Sequence, residues 1–286
     1  MKKYIYGLVA LLSCELWVTP IALASSDTLL MGVFPRRNAK LTMKMFTPMA
    51  DYLSKKTGKK VKAVTAKNFP TFWKNVKNGR YDLVHYNQLH YVSSHKDFGY
   101  KVIASNEEFG TSKISSAFIV RKDSGINSVK DLKGKKILFG GGKKAFVSYV
   151  SNVVTLNKAG LSKKDYVTKF AKNPPNATIA TFLKQGDAAG VGNIGIKVPI
   201  LKKKGVDVSE LKLVGVGEPF PHLPWAVNKR TSEADAIALQ KAMLSLNESA
   251  EGKKILKKAG MTGIHKAVDS DFKSSREKIK EFQEIK

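Results

Sequence analysis

The chain has 286 residues, 43% of them hydrophobic, and carries 50 Lys+Arg against 23 Asp+Glu, a formal charge of +27 at pH 7. That length suits one large domain or two lobes, and that apolar content excludes a wholly disordered chain. The charge attracts anions and acidic surfaces, but the lysines are scattered, many of them in pairs such as Lys55-Lys56 and Lys143-Lys144, with no arginine-rich arm, zinc-ligand spacing or single-strand aromatic platform, so no nucleic-acid module is expected.

Met1-Lys2-Lys3, the apolar run Tyr4 to Ser13 and the small-x-small Ala22-Leu23-Ala24 have the form of a secretory signal over residues 1–24. Removing it leaves 48 basic and 22 acidic residues, or +26. The one cysteine, Cys14, lies inside that segment, where Leu11-Leu12-Ser13-Cys14 also has the form of a lipoprotein cleavage box. Simple export to the periplasm is preferred, with anchoring at Cys14 as the alternative. In either case the folded part has no disulfide and no thiolate, and no other apolar run approaches membrane-spanning length.

Thr28 to Phe34 is a buried strand, and Pro35-Arg36-Arg37-Asn38 a loop. From Ala39 to Lys56 the apolar positions recur at helical spacing, closed by Gly58. Val61 to Val64 is a strand, and Asn68 opens a helix that ends by Gly79. Tyr81 to His85 is a third strand, followed by the polar stretch Tyr86-Asn87-Gln88 at a helix start. This β-α-β-α-β order implies a parallel sheet with helices on its faces, and polar groups at a strand's carboxyl end beside a helix N-terminus are where such proteins hold a small ligand. Val102–Ala104, Ser115–Val120 and Lys136–Phe139 are further strands. Gly140-Gly141-Gly142 breaks the last of them, and a helix is expected from Ala145 to Ala159. A second unit follows: strand Thr168–Phe170, helix Ala177–Gln185, strands Ala188–Gly192, Lys212–Val216 and Pro224–Val227. The tail from Glu233 to Phe282 is helical by period, with breaks near Gly260 and Gly263. Two such units suggest two lobes, with the chain crossing near Phe118–Lys122 and back near Pro219–Trp225. The expected division is 25–121 for the first part of lobe one, 122–221 for lobe two, and 222–286 for the return and the C-terminal helices.

An ordered set of segments carries a resemblance: Gly32-Val33-Phe34-Pro35-Arg36-Arg37-Asn38, Phe46-Thr47-Pro48-Met49-Ala50-Asp51-Tyr52-Leu53, Asn78-Gly79-Arg80-Tyr81-Asp82-Leu83, Ile119 to Ile126 with Asp131 to Lys135, Phe139-Gly140, and Pro224 to Val227. Together they resemble the periplasmic substrate-binding proteins of phosphate/phosphite/phosphonate-type ABC transporters. The resemblance implies an α/β, two-lobed type II periplasmic-binding-protein fold, with a mixed sheet flanked by helices in each lobe and two crossing hinge strands. It implies a monomer without catalytic activity or cofactor that closes on a small oxyanion and delivers it to a membrane permease. The family's tyrosine after the third strand matches Tyr86, and the aromatic opening its second helix is Phe69, without a hydroxyl. The family's Ser-Thr-Ser run is replaced by Gly141-Gly142-Lys143-Lys144-Ala145-Phe146, whose glycines allow exposed amides and whose lysines bring charge. A family histidine aligns with Asn176, and an acidic residue with Asp187.

The expected ligand contacts are therefore Arg36, Phe69, His85, Tyr86, Asn87 and Gln88 from lobe one, and Gly142, Lys143, Lys144 and Asn176 from lobe two. The plainer alternatives are that Tyr86 and His85 pack, that both lysines face water, that Phe69 and Trp73 are core, and that His90 is at the surface. A metal site from His85, His90 and His95 is not expected, because i, i+5, i+10 drifts around a helix. The glycine-lysine run lacks the spacing of a nucleotide-binding loop, and no nucleophile turn is present. Two further readings stay open: a periplasmic sensor presenting occupancy to a histidine kinase, and a binding protein for an organic or non-phosphorus solute.

Overall fold

The computed structural model describes residues 28–285, so the expected signal over 1–24, with Cys14, lies outside the described residues. The chain opens with β1 (Thr28–Val33), α1 (Ala39–Thr57), β2 (Lys60–Val64), α2 (Phe69–Lys77), β3 (Leu83–His85) and α3 (Gln88–Phe98). An asparagine starts each helix: the Oδ1 atoms of Asn38, Asn68 and Asn87 accept from the N–H of Leu41, Thr71 and His90. Each such cap satisfies a donor that the helix cannot, for about 1 kcal/mol. Gly58 and Gly99 stop α1 and α3 in the left-handed conformation.

The chain continues through β4 (Lys101–Glu107), β5 (Lys113–Arg121), β6 (Lys136–Gly140), α4 (Asn152–Lys158), β7 (Val167–Ala171), α5 (Pro174–Phe182), β8 (Ala188–Gly192), α6 (Ile200–Lys203), β9 (Leu211–Val214), β10 (Pro219–Pro221) and β11 (Pro224–Val227). It ends with α7 (Glu233–Leu244), α8 (Ala250–Ala259), β12 (Gly263–Lys266) and α9 (Lys273–Glu284). Two mixed sheets result, one in the order β12-β4-β11-β3-β1-β2 and one in the order β10-β5-β8-β6-β7, with β9 paired to β5. β1 lies parallel between β2 and β3, as the alternation of strands and helices implies. On one side of this sheet Phe46, Met49 and Leu53 of α1 pack with Leu239, Met243 and Leu256 of α7 and α8. On the other side Phe72, Tyr81, Tyr86, Tyr91 and Tyr100 form a second core.

Four findings differ from the sequence reading. β5, expected to lead out of lobe one, is hydrogen-bonded within the second sheet, to β8, β9 and β10. The first crossing is therefore Glu108–Ser112, upstream of Phe118–Lys122. It turns tightly through Phe109 and Gly110, both at positive φ. The return crossing is His222–Leu223, and the two run side by side: His222 N–H donates to the Ser112 carbonyl and Asn106 N–H to that of Leu223, each at 3.0 Å. Second, the helix expected from Ala145 begins as a π-helical turn, Phe146–Ser151, before α4. Third, the tail contains β12, an edge strand on β4. Finally, α9 is shared between the lobes: it packs on α3 of lobe one, while Ile279 and Phe282 also join the lobe-two core with Tyr149 and Val150. Among the described residues, no helix is long and apolar enough to cross a membrane.

Candidate functional site

The cleft is built where β1 and β3 end and face the loop after β6. β1 runs into Phe34, whose N–H donates to the His85 carbonyl at 3.1 Å. Arg36 then lies over the Phe34 ring at 5.5 Å, with Nη1 3.7 Å from Glu108 on the first crossing. Arg37 is exposed, and partial desolvation followed by repulsion from Arg36 lowers its pKa to about 10, with Glu108 opposing, so it stays charged. Opposite, Gly141 turns the chain at φ 110 with its N–H on the Ala171 carbonyl, and Ala145 N–H closes a turn onto Gly142. Asn87 joins the two sides. Its Oδ1 caps α3, and its Nδ2 donates to the Lys144 carbonyl at 3.0 Å, from lobe one to lobe two.

Behind that contact lies an aromatic wall with unpaired polar atoms. The Phe69 ring, 41% exposed, is stacked with His90 at 6.2 Å and meets Phe34 edge-on at 6.1 Å. His90 is 3% exposed, its Nδ1 has no partner, and burial followed by the Lys144 charge pushes its pKa down to about 4. The Gln88 amide donates from Nε2 to the Pro221 carbonyl at 2.8 Å. Because that carbonyl can only accept, the amide orientation is settled, and Oε1 is left buried without a donor. His222 accepts from Leu223 N–H at Nδ1, so its proton sits on Nε2. That atom is buried and has no hydrogen bond, with Glu108 Oε2 at 3.9 Å. Buried polar atoms left unpaired cost about 1–3 kcal/mol each, which a bound ligand or ordered water can recover.

A model of the periplasmic substrate-binding proteins of phosphonate ABC transporters matches residues 31–272. The chain belongs to this family. The same fold recurs in a binding-protein component of an ABC phosphonate transporter from Pseudomonas aeruginosa, with 18% identity, 90% of this chain and 86% of that one covered, and a TM-score of 0.74. PhnD1 from Prochlorococcus marinus, solved in complex with methylphosphonate, is 20% identical over 91% of this chain and 99% of that one, at a TM-score of 0.76. XAC2383 from Xanthomonas citri, solved with a chloride ion, is 16% identical over 91% and 99%, also at 0.76. The two-lobed type II fold and the solute-binding class follow from this membership.

In this phosphonate-type binding protein the expected site residues separate into groups. Arg36, Phe69, Asn87 and Gln88 gather at the lobe-one side of the cleft. Gly142, Lys143 and Lys144 form the exposed loop opposite. Tyr86 is a correction: it points into the lobe-one core, fully buried between Tyr91 and Tyr100, with its hydroxyl on Ser94 Oγ at 2.7 Å and its pKa driven well above 10 by burial. The adjacent His85 lies on the other side of the sheet, as alternation along an extended chain requires. Its ring is stacked on Trp225 at 4.2 Å, and its Nδ1 donates to the Pro224 carbonyl at 3.2 Å. It is a packed core histidine, not a cleft donor. Asn176 is also placed elsewhere, lining a surface cavity of about 320 Å³ with Ala171, Lys172 and Gln185, all within lobe two. Asp187 accepts from Lys136 N–H at 2.6 Å and ties two strands of the lobe-two sheet.

His90, expected at the surface, is buried at the cleft, and Glu108 and His222 beside it are candidate site residues that the sequence did not single out. His90 carried a usable signal, since it stands three residues after the cap Asn87 and so follows it back onto the cleft side. Glu108 and His222 meet only because the two crossings run together, which local sequence does not encode. One consequence is testable at once. Tyr86→Phe is expected to lower stability by about 1 kcal/mol through the lost hydrogen bond to Ser94, and to leave ligand affinity unchanged. Urea unfolding together with calorimetric titration checks both; a large affinity loss would return Tyr86 to the site.

Proposed function

We propose that this binding protein captures a small phosphorus oxyanion, of the phosphate, phosphite or phosphonate kind, between its lobes and delivers it to an ABC permease, acting as a monomer freed into the periplasm by removal of residues 1–24. The observation that carries the reading is the Asn87–Lys144 contact. One side chain both caps α3 and joins lobe two, so closure brings the cationic loop 142–144 against the unpaired atoms of the α3 first turn. Arg36 and Arg37 supply charge from lobe one; Lys143, Lys144 and the loop amides supply it from lobe two. Converging charge-assisted donors of this sort compensate a dry anion. A ligand that touches both lobes stabilises the closed state by its differential contacts alone.

Protein stripped of carried ligand by a denaturing wash and refolded is melted against phosphate, phosphite, methylphosphonate, aminoethylphosphonate, arsenate, sulfate and a set of organic acids and amines. A ligand at 100 times its dissociation constant adds roughly 2.7 kcal/mol to the folded state. The expected result is a rise in melting temperature with a phosphorus oxyanion, reduced in Arg36→Gln and in Lys144→Gln. A rise with an organic solute alone would discard the oxyanion class.

A further inference from the structure

The helical layer over lobe one carries a charge pattern that solute capture does not use. α8 presents Lys253, Lys254, Lys257 and Lys258, all exposed, while Gly252, Ile255, Leu256 and Ala259 face the core. Lys253 with Lys257, and Lys254 with Lys258, are like charges at i,i+4, a spacing that destabilises a helix. α1, which packs against both α7 and α8, presents Lys40, Lys44, Lys55 and Lys56 on the same layer. Among the described residues, none of these eight ammonium groups makes an ion pair or hydrogen bond; Lys56 alone leans over a ring, that of Tyr52. The helix dipole accounts for the lysines of the last turns, Lys55, Lys56, Lys257 and Lys258. It does not account for Lys40, which lies in the first turn of α1, where a cation is disfavoured and no acidic residue balances it. Across α1, α7 and α8 there are nine lysines, including Lys241, against Asp51, Glu233, Asp235 and Glu251, and Asp235 is already paired with Lys59.

We propose that this face is a docking surface for an anionic phospholipid bilayer, holding the binding protein against the membrane. The chemistry selects lipid over a protein partner. The three helices contain no arginine, and their only exposed large apolar side chains are Leu41 and Ile237. Specific protein interfaces are depleted in lysine and enriched in arginine and aromatics that fix geometry. Attraction to anionic headgroups is diffuse and additive over lysines, and asks for no pocket.

The test is flotation of the chain from Ser25 with vesicles of phosphatidylglycerol mixed with phosphatidylcholine, and with phosphatidylcholine alone. Binding is expected to the first only, and to disappear as salt rises from about 0.05 M to about 0.5 M, which shortens the screening length from roughly 14 Å to roughly 4 Å. Changing Lys253, Lys254 and Lys257 together to Gln is expected to weaken it at least about tenfold. Changing Lys202, Lys203 and Lys204 to Gln, the same loss of charge on exposed positions of lobe two, is expected to change it by less than about twofold. Melting temperatures of both variants confirm folding, and Lys40→Gln with Lys44→Gln on α1 replaces the α8 variant if it is unstable. No binding to phosphatidylglycerol, or an equal loss in the lobe-two variant, overturns the proposal. Binding that survives both variants does the same.

Discussion

Lowering the pH from 7.5 to 5.5 is expected to cost the folded protein roughly 3 kcal/mol. Three buried histidines cause this. His85 is pushed down to about 3 by burial, with its Pro224 hydrogen bond opposing and the charges of Arg36 and His222 adding. His90 is pushed down to about 4 by burial and Lys144. His222 is lowered by burial, with Glu108 opposing and Arg36 adding. In each case the unfolded chain takes up its proton near pH 6.5, before the folded chain does, so stability is full above that value and falls as pH drops from 6.5 toward the folded pKa. At pH 5.5 each such group costs about 1 kcal/mol. Urea unfolding at the two pH values measures the difference, and His90→Gln should remove about a third of it. Equal or greater stability at pH 5.5 would show that these rings are not buried in neutral form.

Gly140→Ala is expected to lower stability by about 2–3 kcal/mol, the cost of overpacking against atoms that cannot yield, and to weaken ligand binding tenfold or more. A Cβ on Gly140 would stand 2.4 Å from Cα and 2.7 Å from N of Pro174, both backbone atoms at the start of α5. Either β6 or the α5 terminus has to move. The next residue, Gly141, is the pivot of the cationic loop, so the shift is passed directly to Lys143 and Lys144. Gly142→Ala is the control: its Cβ would meet nothing within 4 Å, and it is expected to change stability by less than about 0.5 kcal/mol. Chemical unfolding and ligand titration on the pair separate the two roles, and equal behaviour of both variants would contradict the close packing of Gly140 on α5.

The early part of the fold was legible because each element there announces itself. An apolar run marks β1, alternation of lysine with Val61 and Ala63 marks β2, asparagine caps open α1 and α2, and Gly58 closes α1. The position of the first crossing was not legible, since the apolar run Ile114–Val120 suits a central strand of either sheet and only its pairing with β8 decides. β10 and β12 are short, and rich in proline or in exposed charge, and so lack an alternating pattern. The site shows the same limit. Local chemistry singles out the β3–α3 junction as a candidate site, but which of His85 and Tyr86 faces which side depends on register, and a shift of one residue exchanges them. Asn87 was readable as a cap; its second bond, to the Lys144 carbonyl in the other lobe, joins residues 57 apart in the chain and has no local sequence signal.

The most direct test of capture between two lobes is calorimetric titration of ligand-free protein with methylphosphonate, repeated in Arg36→Gln, Lys144→Gln and Asn87→Ala. Binding is predicted with one site per chain, weakened about tenfold or more when a charged donor is removed from either lobe, about 1.4 kcal/mol each. Asn87→Ala should weaken it too, through the lost cap and the lost interlobe bond. Binding that ignores the substitutions of one lobe would contradict closure on the ligand, and no heat with methylphosphonate, phosphite or phosphate would contradict oxyanion capture itself.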